Sequence, residues 1–254
     1  MRITVAIIVL LLFGLVRTPF EIALDRAQRD AHLRQTPLDL SLREQVGQMG
    51  FLAALSGFRS PLAAVLWIQA HIAWEDQLWG KMVALLNTVL TLQPRSQAYW
   101  DLAAWHMAWN ASIASEHEKT VQSPAMRERN SRQYVQLGRE ILERGIRNNP
   151  SSRFLHERLG NLLRDRAQDH CGAAEQYKIA ASMPGVSDFV RRFAGYEMAK
   201  CPGREREAYD TLLALYNEGE QHHKPTLIIT LKELEEKLNI PAEQRISSEI
   251  KGRN

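Results

Sequence analysis

The 254-residue sequence predicts an all-α protein behind an N-terminal transmembrane helix, and three observations carry the helical reading. Sustained apolar/polar alternation is almost absent, and Leu and Ala outnumber Val and Ile inside the periodic segments, so strand signals are scarce. Helix starts carry capping residues: Ser60 before Pro61, Ser123 before Pro124, and Ser41 with Glu44 as a capping box. Helix stops fall at Pro94, Pro150, Pro184 and Pro202, and Pro150 and Pro184 stand 34 residues apart.

The first element is the apolar N-terminus, in which the run Ile3 to Val16 is uncharged between Arg2 and Arg17. Fourteen helical residues span about 21 Å, short of a hydrocarbon core of about 30 Å. Extension to Phe20, with Arg17 snorkelling to the headgroups, brings the span to roughly 27 Å. A cleaved signal peptide is the rival, but "LVRTPFEIALD" offers no small-x-small cleavage site. Residues 1–20 are therefore read as an uncleaved signal anchor. Residues 21–35 form a stem helix, in which Asp25 and Asp30 stand four residues before Arg29 and Arg34. A literal count of flanking cations keeps the body in the cytoplasm. The salt-bridged stem absorbs part of that charge, and a signal-like start exports the chain beyond it. The expectation is an extracytoplasmic body on the periplasmic side, with the cytoplasmic side as the alternative.

Residues 36–62 are read as an N-terminal cap, with Leu42, Val46, Met49 and Leu52 at helical spacing. The body, residues 63–220, shows a repeating unit. Between Pro150 and Pro184, Leu159 and Gly160 are followed by Leu163, Ala173 and Tyr177. The preceding unit has Trp100, Ala103, Ala104 and Met107 on one helix and Gly138 and Leu142 on the next. The unit ending at Pro94 carries Trp67, Ala70 and Trp74, then Met82 and Leu86; a weaker fourth has Phe193, Ala194, Ala208 and Leu212. Pro94 precedes Pro150 by 56 residues, one 34-residue period plus an insertion of 22. The surplus, near 111–132, lengthens the helix beyond Trp109, adds a polar loop and starts the next helix at Pro124. In residues 221–254, Leu227, Leu231, Leu234 and Leu238 mark a C-terminal capping helix, with a tail beyond it that frays.

This pattern resembles the tetratricopeptide-repeat superfamily, whose units read W-x-x-L-G-x-x-Y, then A-x-x-x-F, then proline at a period of 34. His156 stands where the motif has Trp. The segments "GFRSPLAAVLWIQA", "LQPRSQAYWDLAAWHMAWN" and "ASMPGVSDFVRRFAGYEMAK" also look like a group of bacterial membrane-anchored repeat proteins of undefined role. The resemblance implies a right-handed superhelical solenoid of antiparallel helix pairs whose concave face binds a peptide or partner protein. Trp67, Trp74, Trp100, Leu142, Leu159, Gly160, Ala173 and Tyr177 would then be its packing residues. Counting five and nine places from the inward residues of each first helix gives groove candidates Trp105, Trp109, Asn161 and Asp165, with Ile72 and Asp76 in the first unit. Gly195 and Ala199 fall at the matching places of the fourth unit. Trp105 and Trp109 are not explained by the packing code; they serve either to cover the lengthened helix or to meet a ligand.

The chemistry excluded is as informative. The net charge of +3 comes from 32 basic and 29 acidic residues spread along the chain, which argues against nucleic acid. Arg127, Arg129 and Arg132 alternate with Glu128 and amides, as on a solvated helix face. No zinc-protease, phosphate-loop, nucleophile-elbow or dinucleotide motif occurs, so neither enzyme activity nor a cofactor is expected. No four-ligand metal spacing exists, and His117, His222 and His223 are expected to be solvated loop residues. Cys171 and Cys201 fall at turns of successive units, about 10 Å apart by helix packing distances. A disulfide needs Cα atoms within about 7 Å, so two free thiols are expected, with a bridge as the alternative in an exported domain. Two functions are consistent with this pattern: a membrane-anchored scaffold binding a partner protein or peptide in the groove, or a structural subunit of a membrane or cell-envelope assembly with no free groove. Nothing in the sequence specifies the oligomeric state.

Overall fold

The computed structural model describes residues 57–121 and 123–246. The segments expected as signal anchor, stem and most of the N-terminal cap, and the last residues of the tail, lie outside the described residues. Among the described residues every regular element is helical and there is no strand, as the sequence predicts. No helix among them is long and apolar enough to cross a membrane. The chain divides into two compact units, Met1–Thr88 and Val89–Asn254.

The described part of the first unit consists of α1 (Arg59–Glu75) and most of α2 (Trp79–Leu92). Helix α1 starts two residues before Pro61, with Phe58 at the N-cap and no side-chain cap. Ser60 is thus inside the first turn, where proline is still tolerated because the N–H it lacks has no intrahelical acceptor. Small and branched residues (Ala63, Leu66, Ala70 and Ala73) are buried on α1. Trp67 and Trp74, expected as packing knobs, are half-buried on its flank.

The second unit begins with a continuous helical run: α3 (Gln97–Trp105), a π-helical turn (His106–Ala111) and α4 (Ser112–Glu116). The long helix α5 (Pro124–Asn148) returns alongside it, with Ser123 capping the Met126 amide and Pro124 in the first turn, as the sequence predicts. Two glycines make that return close. A Cβ on Gly138 would stand 2.8 Å from the Ala108 Cβ, and one on Gly145 would stand 2.8 Å from Trp100 Cγ. Buried Trp100 covers Gly145 and donates from Nε1 to the Pro94 carbonyl, which also accepts from Asn149 Nδ2. One carbonyl therefore ties the start of α3 to the end of α5.

Four shorter helices come next, α6 (Arg153–Asp165), α7 (His170–Ala181), α8 (Asp188–Ala199) and α9 (Glu205–Asn217), then α10 (Pro225–Lys237). Each packs on its neighbour in sequence, α5 through α10, joined by short turns that enforce antiparallel pairing. Ser152 and Asp169 cap the Leu155 and Gly172 amides, satisfying donors that the first turn leaves open. The packing residues predicted for this stretch are buried: Leu142, Leu159, Gly160, Leu163, Ala173 and Tyr177. A Cβ on Gly160 would meet the Tyr177 ring at 2.9 Å, so a small residue on one helix receives the large one of the next. Gly195, counted to the groove from sequence, is instead buried where a Cβ would collide with Leu212.

Helix α10 buries Leu227, Leu231 and Leu234, the helically spaced leucines read from the sequence. The tail is held further than expected. The buried Glu235 carboxylate accepts from the Ile246 amide at 2.7 Å, and Arg245 Nε donates to the Ile240 carbonyl. His222, expected to be solvated, is buried in a short 3-10 turn (Glu220–His222), with Nε2 3.6 Å from Glu218.

Candidate functional site

The surface of interest lies within the second unit, where α3 with its π turn, α6 and α8 stand side by side. Several side-chain contacts join them. Arg158 of α6 pairs with Asp101 of α3 at 3.3 Å, and the Arg164 guanidinium of α6 lies 4.4 Å from the centroid of the Phe193 ring of α8. A third, from Ser152 Oγ to Gln97 Oε1 at 2.7 Å, fixes the starts of α6 and α3 together.

Along the first of these helices runs a solvent-facing apolar row: Ala98, Leu102, Trp105, half-buried Trp109 and Ile113. Trp105 is 43% exposed, a large area for an indole in a domain that buries Trp100. The π turn keeps this row straight. In an undisturbed α-helix each step of four residues rotates a row by about 40°, so Trp105, Trp109 and Ile113 would fan across about 80°. An i→i+5 turn winds less per residue and cancels much of that drift. The turn buries Ala108 and Ala111, and Gly138 admits Ala108 together with the Ala104 carbonyl of α3. Inside the turn, Asn110 Nδ2 donates to His106 Nδ1 at 3.0 Å, which leaves the proton on the other ring nitrogen.

Arg158 stands one turn before Asn161, and Asp101 one turn before Trp105, so their ion pair heads both rows. Asn161 accepts a 2.6 Å hydrogen bond from the buried Tyr177 hydroxyl. Asp165 accepts two, from Arg164 Nε and Nη2 at 2.6 and 2.9 Å. That interaction raises the Arg164 guanidinium's already high pKa. Burial pushes the Tyr177 phenol up and Asp101 up, the latter opposed by Arg158. The Asn161 carbonyl and the Asp165 carboxylate are thus engaged within the fold, whereas buried Arg164 Nη1 has no hydrogen-bond partner. Beyond α6, Phe193 stacks on Tyr177 at 5.6 Å and meets Phe189 and Tyr196 edge-on, with Phe189 44% exposed.

Of the predicted groove residues, the structure brings Trp105, Trp109, Asn161 and Asp165 onto these neighbouring helices. Ile72 and Asp76 are exposed in the first unit, Asp76 at the C-terminal end of α1. Sequence counting misses Leu102, Arg158, Arg164 and the aromatic group Phe189, Phe193 and Tyr196. The spacing of that group, i, i+4 and i+7, is the signal that could have found it. What the surface offers is apolar and aromatic contact area beside ion pairs and the unsatisfied Arg164 Nη1 donor. No cluster of three or more His, Cys, Asp or Glu side chains suited to a metal ion occurs among the described residues.

Behind this surface, Cys171 and Cys201 form a disulfide with Cα atoms 5.1 Å apart, which corrects the expectation of free thiols. The expected spacing of about 10 Å treats the two turns as equivalent points of successive pairs. Cys171 in fact lies in the first turn of α7 and Cys201 just after α8, and those helices are direct antiparallel neighbours. The residues preceding the two cysteines grip one carboxylate. Glu197, 1% exposed, lies 2.6 Å from His170 Nδ1 and 3.0 Å from Lys200 Nζ.

Set against known proteins, the chain matches no family model, and no curated relative shows significant similarity to it.

Proposed function

We propose that this protein is a membrane-anchored interaction scaffold, in which the helix pairs of the second unit continue as a right-handed tetratricopeptide-like solenoid and its first-helix face receives a partner protein or peptide. The observation that carries this reading is the uncharged row Leu102, Trp105, Trp109 and Ile113, held straight by a π turn beside a helix whose charges are already paired. An exposed contiguous apolar row is a common mark of a protein interaction site, and aromatic anchors dominate such interfaces. The disulfide favours an oxidising compartment, and with it an extracytoplasmic body.

Photo-crosslinking tests the reading. Benzoylphenylalanine replacing Trp105 in the full chain, irradiated in intact cells, is expected to capture a discrete partner. The same residue replacing exposed Asp210 supplies the background. Adducts at position 105 indistinguishable from those at 210 would remove this face from consideration.

A further inference from the structure

Helix α1 has a second apolar surface, independent of the row on α3. Phe58, Val65, Ile68 and Ile72 are 63%, 51%, 60% and 50% exposed, and Pro61 and Ala64 are exposed with them. At 100° per residue, Pro61, Ala64, Val65, Ile68 and Ile72 fall within an arc of about 100°, a continuous strip along about three turns. No charged side chain interrupts the strip. Arg59 marks its beginning, and His71 and Glu75, 3.8 Å apart, mark its end. Trp67 and Trp74 lie half-buried along one flank. A patch of this extent on one helix is more than the scattered apolar exposure of an ordinary protein surface.

We infer that this strip rests in the interfacial layer of a lipid bilayer, with α1 lying along the membrane plane. The inference depends on the anchored reading above, because the apolar run Ile3–Val16 stands in the same chain, with only residues 17–58 between it and α1. With that run inserted, contact between α1 and the bilayer becomes an intramolecular event, favoured by a raised effective concentration. The side chains suit the layer. Aliphatic residues enter the boundary between headgroups and acyl chains by about 5–10 Å, and flanking indoles sit at headgroup level. The strip lacks the lysine and arginine that anionic lipids would select, so the surface it fits is a zwitterionic one, bound by apolar burial. Docked this way, α1 would hold its own unit against the bilayer.

The test places a single environment-sensitive label on the full-length chain. Both native cysteines are bridged, so a new thiol alone takes nitrobenzoxadiazole. Ile68→Cys and Ile72→Cys report the strip, and Gln69→Cys, exposed about 100° from Ile68 and about 60° from Ile72, supplies the reference. Each protein is reconstituted into phosphatidylcholine vesicles with or without doxyl-labelled acyl chains. Unchanged melting temperatures establish that the variants fold. Blue-shifted emission at 68 and 72, with several-fold stronger doxyl quenching than at 69, is the expected result. Vesicle flotation without preferential quenching at 68 and 72 would overturn the inference while leaving the anchor intact. A blue shift without quenching would mean a protein surface covers the strip, and equally overturns it. Failure of the full chain to float with vesicles would remove the anchor and this inference together, while the crosslinking at position 105 tests the partner-binding face separately.

Discussion

The Arg166 guanidinium reaches from the end of α6 into the π turn of the neighbouring helix, donating from Nε to the Ala108 carbonyl at 2.9 Å. Its Nη2 donates to Ser112 Oγ at 2.8 Å and to Glu116 at 3.2 Å. One planar group therefore braces the turn that aligns Trp105 with Ile113. Arg166→Ala is expected to destabilise the protein by about 1–3 kcal/mol, the range for losing charge-assisted hydrogen bonds at a part-buried site. Arg166→Lys should recover only part of this, because an ammonium cannot reproduce the forked geometry. Urea unfolding of the three proteins measures it, and equal midpoints for wild type and Arg166→Ala would show that the turn holds without the brace.

How far the sequence reveals this fold depends on what kind of signal each feature leaves. Trp100, Leu159, Gly160 and Tyr177 are readable because close helix packing demands a large residue against a small one, and that demand is written in residue type. The capping at Ser123–Pro124 and the C-terminal helix are readable for the same local reason. The π turn is not, since one extra residue per turn barely alters an apolar period that mixes alanine with tryptophan. Nor is the Cys171–Cys201 bridge, because it depends on which helix ends are adjacent, a tertiary fact. Asn161 and Asp165 stand on the intended helix, but their partners Tyr177 and Arg164 occupy the polar atoms that a ligand was expected to use.

Reduction of the disulfide provides a second prediction. The bridge spans 30 residues and constrains the unfolded chain. Loop-closure entropy for a ring of that size is worth about 3–4 kcal/mol, subject to the native strain it relieves or adds. Cys201→Ser, or wild type in reducing buffer, should lower the thermal midpoint by several degrees, and the two effects should not add. A mobility difference between reducing and non-reducing gels, abolished in Cys201→Ser, reports the bond itself. Identical melting of the reduced and oxidised protein would assign it no role in stability.

Gly145→Ala supplies a third. Replacing helical glycine by alanine in an exposed helix gains about 1 kcal/mol. Here the new Cβ would stand 2.8 Å from Trp100 Cγ, and the indole is held by its bond to the Pro94 carbonyl. Overpacking of a held side chain costs about 1–3 kcal/mol, so the net effect should be destabilising. Stabilisation in chemical denaturation would mean that Trp100 has room to move.

Acid stability depends in part on two carboxylates. Hydrogen bonds from Lys178 and Arg204 hold Glu207 below the usual carboxylate range, and Arg191 does the same for Glu218, with His222 adding to it. A depressed folded-state pKa contributes stability that is fully present above the unfolded value of about 4.3 and is lost as pH falls through the folded value. Stability should therefore be level above about pH 5 with respect to these groups and decline below about pH 4. Both side chains are about 40% exposed, so solvent and salt screening keep the effect small. Glu207 links α7 to α9 through Lys178, at 2.6 Å, and Glu218 links α8 to the end of α9 through Arg191. The double variant Glu207→Gln with Glu218→Gln is expected to flatten the decline between about pH 4.5 and the acid limit, most clearly at low ionic strength. An undiminished slope in urea midpoints against pH would locate the acid-sensitive groups elsewhere, with Glu205, which its hydrogen bond from Lys237 holds below the usual carboxylate range, the next carboxylate to replace.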